Sequence, residues 1–396
     1  MQRLWDKGAP LDERVLRYTA GEDYALDERL VAYDVRASIA HAAMLHAQGL
    51  LSADDLALIR DGLSALADEH ARGLWHIELS EEDGQSALER RLTARIGPTG
   101  GRIHLGRSRN DQVLTALRLY LRDALAQLQQ GTHGVARALE RLALREAQTP
   151  LPGYTHMQQA MPSSVALWAA GYAAEFTDDA AGLAAVARRV EKNPLGSAAG
   201  YGTPGLPLDR AATTRALGFG AVHEPVTAVQ LSRGKAEAQL LFEITLLMGD
   251  LSRLAADLLL FYTQEFAFIE LPDAFTTGSS IMPQKRNPDV FELVRGRSAT
   301  ALSALTEALA ICAKLPSGYQ RDLQLLKFPL FRGIDLGLRT LDIVAAALDA
   351  VKFRPERIRL DPAVHAAEQA YALVVELGIP FREAYSRVAA RYTRKE

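Results

Sequence analysis

The chain has 396 residues, 48% of them hydrophobic and 23% charged, a composition with room for a large core and no mark of disorder. Its 45 Lys and Arg against 48 Asp and Glu leave a formal net charge of -3, which obliges no face to meet nucleic acid or an anionic membrane. The single cysteine, Cys312, lies in the apolar run Ala-Leu-Ala-Ile-Cys-Ala-Lys-Leu and reads as a small buried hydrophobe, which excludes internal disulfides and cysteine-rich metal sites.

The N-terminal residues carry no apolar run after their basic residue, so no signal peptide is expected. No uninterrupted apolar run approaches the roughly 20 residues that span a bilayer, and the expected compartment is the cytoplasm. The Gly-rich segment Gly97-Pro98-Thr99-Gly100-Gly101 marks a first boundary and Phe353-Arg354-Pro355 a second. They divide the chain into an N-terminal helical domain (1–105), a central bundle (106–353) and a short C-terminal helical piece (354–396).

Prolines are absent from the interiors of 103–149, 163–193, 226–271 and 289–315, and each stretch is rich in Ala, Leu, Glu and Arg. These are strong helix formers, and no comparable stretch alternates apolar and polar residues as a half-buried strand would. The chain therefore reads as all-α. After Leu240 the apolar positions fall at Leu241, Ile244, Met248, Leu251, Leu254 or Ala255, Leu258 and Tyr262, the three-and-four spacing of a bundle helix. A helix of about 40 residues over 226–271 would be about 60 Å long. Helices of that length need neighbours of similar length, which predicts a multi-helix bundle shared between subunits.

Three polar segments break the helical pattern. The first, Gly106-Arg107-Ser108-Arg109-Asn110-Asp111-Gln112, leads into the apolar run Val113, Leu117, Leu121, Leu125, Leu128. Ser108, Asn110 or Asp111 could cap that helix. Two arginines beside a helix N-terminus oppose its dipole unless an anion sits between them and the free N–H groups, so a carboxylate site is the sharper reading. The second, 150–159, is a turn-rich link holding Thr155 and His156; a histidine there is more often a solvated surface residue than a catalyst. The third, Thr276 to Pro288, carries Gly278, Ser279, Ser280, Met282, Lys285 and Asn287 between prolines. It reads as a mobile loop or an ordinary connector; it lacks the ending of a phosphate-binding P-loop. Hydroxyls, an ammonium and an amide packed so closely suit a dicarboxylate.

Residues 278–288 resemble the signature loop of the fumarase and aspartase superfamily. Gly106 to Gln112, the Pro-Gly-Tyr-Thr-His-Met-Gln run at 152–158 and Tyr319 to Lys327 resemble the argininosuccinate lyase branch in particular, and the similarity covers the chain from about residue 27 to about residue 385. The resemblance implies a homotetramer on a central helical bundle, each active site assembled from segments of three subunits. It implies a lyase needing no cofactor or metal, which cleaves argininosuccinate reversibly to arginine and fumarate in the last step of arginine biosynthesis.

By the same resemblance Ser279 is the base, activated by backbone N–H groups and Lys285 as the loop closes. His156 is the acid or proton relay, with Glu292 as its carboxylate partner; the two roles could be exchanged. Ser280, Lys285, Asn287, Asn110 and Thr155 would hold the aci-carboxylate, with Arg109 and Met282 in the same binding set. Tyr319, Gln324 and Lys327 would meet the arginine half, and Arg233 the dicarboxylate half. Isolated Lys and Arg on helices usually sit in solvent, so for these the motif match carries the assignment.

The pattern departs in places. Asp23 stands where the family has a Ser, four residues before the aspartate matching Asp27, and could suit a guanidinium or α-ammonium group. Gln85 and Leu88 replace a His and an Asn, Leu105 replaces a Thr, and the chain runs only a short way past Tyr385 where relatives continue. Alternatives are a related fumarate-releasing lyase acting on an N-acylated argininosuccinate or on adenylosuccinate, or a non-catalytic structural protein on the same scaffold.

Overall fold

The structure, a computed structural model, describes residues 12–392. Five long helices dominate it: Arg109–Arg145, Val165–Val190, Lys235–Tyr262, Asp289–Cys312 and Lys327–Ala350, of 37, 26, 28, 24 and 24 residues. Strands are few and short, so the all-α reading holds. Among the described residues no helix is long and apolar enough to cross a membrane.

The helix expected over 226–271 is shorter, and the reason is local. Gly234 adopts φ 83° between a single turn at Ala228–Leu231 and the long helix from Lys235. A Cβ at that glycine would collide with Cys312 Sγ, so both the backbone and the space require glycine there. At the other end, Ile269–Glu270 pairs antiparallel with Lys352–Phe353.

Sequence pattern also missed the Lys327–Ala350 helix. Its Pro329 and Gly333 suppress a helical reading, but Pro329 lies in the first turn, where its missing N–H costs nothing. Gly333 packs so closely on Leu241 that a Cβ would strike it. The turn-rich link at 150–159 is likewise a β-hairpin: Pro150–Thr155 pairs with Gln158–Ser164, with Thr155 opposite Gln158 and a register shift after Gly153.

Two compact units divide the chain discontinuously, the first holding residues through Leu128 with Gly182–Ile244 and Ala301–Asp335, the second Gln129–Ala181, Thr245–Thr300 and the chain from Leu336 onward. In the first unit, helices Val31–Ala47, Ala53–Ala71 and Gly84–Ile96 bury Leu45, Ile59, Leu63 and Leu92. Ser52 and Asp83 cap the second and third of these by accepting from the Asp55 and Ser86 amides. In the second unit, Trp168, Phe261 and Phe353 pack edge to face, and Asp257 accepts from both Trp168 Nε1 and the Tyr172 hydroxyl at 2.9 Å. Helices Ala366–Leu377 and Phe381–Tyr392 form a hairpin around Ala370, Ala384 and Val388.

Candidate active site

The first unit gathers six of the residues singled out in sequence. Arg109, Asn110, Arg233, Tyr319, Gln324 and Lys327 line one cavity of about 110 Å³, together with Asp23, Glu82, Asp83, Gln85 and Arg321. At its base Lys327, 2% exposed, lies 2.5 Å from Asp27 Oδ1 and 2.8 Å from Asp23 Oδ1. Burial alone would lower the Lys327 pKa, but the two carboxylates outweigh it and hold the ammonium well above its ordinary range. Asp27 is fixed in turn by the Gly84 amide, which donates to its Oδ2 at 3.0 Å.

Asp23 is the departure from the family pattern, and it stands inside the cavity as a second carboxylate on one ammonium. Burial pushes its carboxyl up to about 6, against the pull of Lys327. Gln85, another departure, donates its side-chain amide to Asp34, which burial raises to about 7.

The charge around the helix start at Arg109 is distributed differently from the two-arginine clamp that the sequence suggested. Arg107 turns inward, is buried, and donates to Ser38 Oγ at 2.8 Å. Arg109 faces the cavity and pairs with Asp83 at 2.7 Å. The capping reading also holds: Ser108 Oγ accepts from the Asn110 amide. Asp111 Oδ1 accepts from Ser108 N, while its Oδ2 accepts from the Gly196 and Ala198 amides, tying the helix start to the segment after Asn193.

On the far side of the cavity, Arg321 lies 3.4 Å from Glu82 and, with Gln324, donates to the Thr19 carbonyl at 2.9 Å. Arg233 lies under Tyr319, 5.9 Å from the ring centroid. It is 5% exposed, its Nη2 reaches only the Leu323 carbonyl at 3.4 Å, and its Nε and Nη1 have no partner. Sequence reading passed over Asp83, Glu82 and Arg321. Glu82 holds φ 68°, a strained value for a side-chain-bearing residue and a conformational clue that only structure provides.

The remaining eight residues belong to the second unit. His156 and Met157 form the tip of the hairpin, exposed, with φ 52° and 62°. A two-residue turn with both φ values positive ordinarily takes Asn-Gly, so His156 is held in a costly conformation where its ring projects from a rigid strand pair. Thr155 is exposed beside it at the strand end.

The loop from Gly278 is closed at its base. Thr277 and Asn287 exchange both backbone hydrogen bonds at 3.0 and 2.8 Å, Asn287 Nδ2 donates to the Gly278 carbonyl at 3.3 Å, and Thr277 Oγ1 donates to Asp289 at 2.5 Å. Above this neck Ser279 Oγ accepts from the Met282 and Ile281 amides at 3.2 and 3.4 Å. Ser280, Met282 and Lys285 are exposed on the loop. Two N–H groups aimed at one hydroxyl oxygen favour its developing negative charge, the requirement for a serine that gives up or takes a proton. Glu292 is exposed on the helix that follows, and among the described residues no hydrogen bond joins it to His156 within one chain. No group of three or more His, Cys, Asp or Glu among the described residues is placed to hold a metal ion.

A family model described as Lyase matches residues 13–302. The chain is 50% identical over 391 residues to the argininosuccinate lyase of Sorangium cellulosum, covering 98% of this chain and 90% of that one. It is 45% identical over 389 residues to that of Xylella fastidiosa, covering 98% and 87%. Among solved structures, an EDDS lyase variant with bound fumarate superposes with a TM-score of 0.81 at 26% identity, covering 97% of this chain and 76% of the other.

Proposed function

The chain belongs to the argininosuccinate lyase family of carbon–nitrogen lyases, and from that premise we propose how its residues divide the reversible cleavage of argininosuccinate to arginine and fumarate. A base removes a proton from the carbon next to one succinate carboxylate, electrons collect in that carboxylate as an aci-carboxylate, and the C–N bond breaks with the electron pair leaving on the guanidinium. The proton returned to the leaving nitrogen yields arginine.

Ser279 is the base. The observation that carries this is its hydroxyl oxygen receiving two loop amides above a closed neck, which lowers the energy of the alkoxide that proton abstraction needs. Lys285 adds positive charge on the same loop. His156, set at the hairpin tip, is the acid or relay, and Glu292 is its carboxylate partner. Ser280, Asn287, Met282, Thr155 and Asn110 surround the succinate end, where each donor to the aci-carboxylate is worth about 10²- to 10³-fold in rate. Arg109, Arg233, Tyr319, Gln324 and Lys327 form the remaining wall.

We propose further that the active enzyme is a homotetramer with sites shared between subunits. The long helices leave large apolar side chains in water in this single chain: Leu167, Leu246, Leu293, Leu302 and Leu309 are each about half exposed or more, at 66%, 49%, 54%, 55% and 53%. Exposed leucines of this kind on bundle helices call for partner helices. The three-part division at 105 and 353 belongs to the same proposal.

The test is fumarate release, followed by ultraviolet absorbance, from argininosuccinate supplied to the purified protein, with adenylosuccinate and aspartate in parallel. Release from argininosuccinate supports the reading; release only from adenylosuccinate or aspartate overturns it. Mixed tetramers of Ser279→Ala and His156→Asn chains should recover part of the activity that neither retains alone. Absence of recovery in verified mixed tetramers would count against shared sites.

A further inference from the structure

The cavity in the first unit has a charge pattern that its internal pairs do not close. Arg109 is matched by Asp83 and Arg321 by Glu82. Lys327 is matched twice, by Asp27 and by Asp23, and among the described residues neither carboxylate has another cation. One negative charge is therefore in surplus, and Asp23 carries it, because Asp27 is wholly buried and also holds the Gly84 amide, whereas Asp23 lines the cavity.

A positive charge is in surplus on the same wall. Arg233 has two buried nitrogens without a partner. Glu237, four residues on and buried with its own Oε1 unpartnered, is the carboxylate whose charge acts on Arg118, and among the described residues no ion pair joins it to Arg233. An unfilled anion and an unfilled cation lining one cavity of about 110 Å³ are complementary to a zwitterion. The volume suits the head of an amino acid and falls below the about 300 Å³ or more of a pocket that swallows a drug-sized ligand whole.

We propose that Asp23 is a specificity-determining residue that binds the free α-ammonium group of the substrate's arginine end, with Arg233 taking the adjacent carboxylate in place of the dicarboxylate half that the resemblance assigned to it. The inference rests on the fumarate-releasing reading above and narrows it: the enzyme takes argininosuccinate with an unmodified α-amino group and rejects the Nα-acylated form. Acylation removes the positive charge, adds bulk beside Lys327, and leaves the Asp23 carboxylate desolvated with no cation of its own. A site built around a charged partner discriminates strongly against the analogue that lacks it.

Steady-state fumarate formation from argininosuccinate and Nα-acetylargininosuccinate tests this. The parent enzyme should prefer the free substrate by about 10²-fold or more in kcat/KM. Asp23→Asn, which keeps the shape and removes the charge, and Asp23→Ser should each shrink that preference by about tenfold or more, with the loss for the free substrate falling mainly on KM. Equal use of both substrates by the parent overturns the proposal, as does an unchanged preference in folded variants, which would mark Asp23 as a structural partner of Lys327. Calorimetric titration of the parent with L-arginine and Nα-acetyl-L-arginine needs no variant and no turnover. Selective binding of L-arginine supports the zwitterion site even if no fumarate is released, when only the reading of the reaction fails; equal binding of the two overturns it.

Discussion

The cavity wall of the first unit and the loop of the second solve opposite problems. Around Lys327 the charges are buried, the ammonium is paired twice and Asp27 is held by a backbone amide, so this wall is in place before anything binds. The Gly278–Pro288 loop has a rigid neck and an exposed crown, with Ser280, Met282 and Lys285 in water. In the scheme we propose, the difference separates recognition from chemistry. A charged pocket gains affinity from preorganisation, because its desolvation cost is met during folding. A loop that must exclude water only when substrate is present has to stay open until then.

The contrast breaks most visibly at Ser279. Ser279→Ala should lower turnover by about 10³ or more while leaving the melting temperature unchanged, since the hydroxyl supports no core contact. Fumarate assays beside a thermal melt check this, and retained turnover would remove Ser279 from the mechanism. The opposite signature is expected at Lys327. Lys327→Met strands two buried carboxylates and should cost about 3–5 kcal/mol in urea unfolding, with binding lost as well. A folded, nearly parent-like variant would mean that the cavity base is not held by its charges.

Smaller effects sharpen the same comparison. Gly234→Ala should destabilise by about 2 kcal/mol, because a Cβ at φ 83° is strained and meets Cys312, next to the wall that carries Arg233. Denaturant midpoints measure it, and the variant should raise KM for the free substrate before it affects kcat.

The smallest effect is one of pH. Asp34 ionises at about 7 in the fold, chiefly through burial, above its ordinary 3.8, so the folded state holds a proton that the unfolded chain releases earlier. Stability contributed by that proton is present below the unfolded pKa and is lost as pH rises through about 7. Asp34→Asn mimics the protonated form and should gain stability relative to the parent between pH 5 and pH 8, by on the order of 1 kcal/mol. A difference independent of pH would mean Asp34 is charged throughout.

Much of this molecule was legible in its amino-acid order. Four long helices and the three polar segments follow from spacing and composition over a few turns, because helix period, caps and loop signals act between near neighbours. The family followed from the same motifs, whose residue order is preserved whatever the packing. What local pattern could not supply were exceptions made by context: Pro329 harmless in a first turn, Gly234 stopping a helix beside Cys312, and a hairpin where turn residues suggested an open link.

The site divides along the same line. Residue types suited to a dicarboxylate were visible in Gly278 to Pro288, and Asp23 stood out as an odd acid. That Asp23 and Asp27 share Lys327, some 300 positions away, that Arg107 turns inward while Arg109 pairs with Asp83, and that Arg233 is left without a carboxylate of its own, only the tertiary structure decided. Charge pairing depends on distance and burial, which folding sets between segments remote in the chain, whereas the helices and motifs that bring those segments together are written in neighbouring residues.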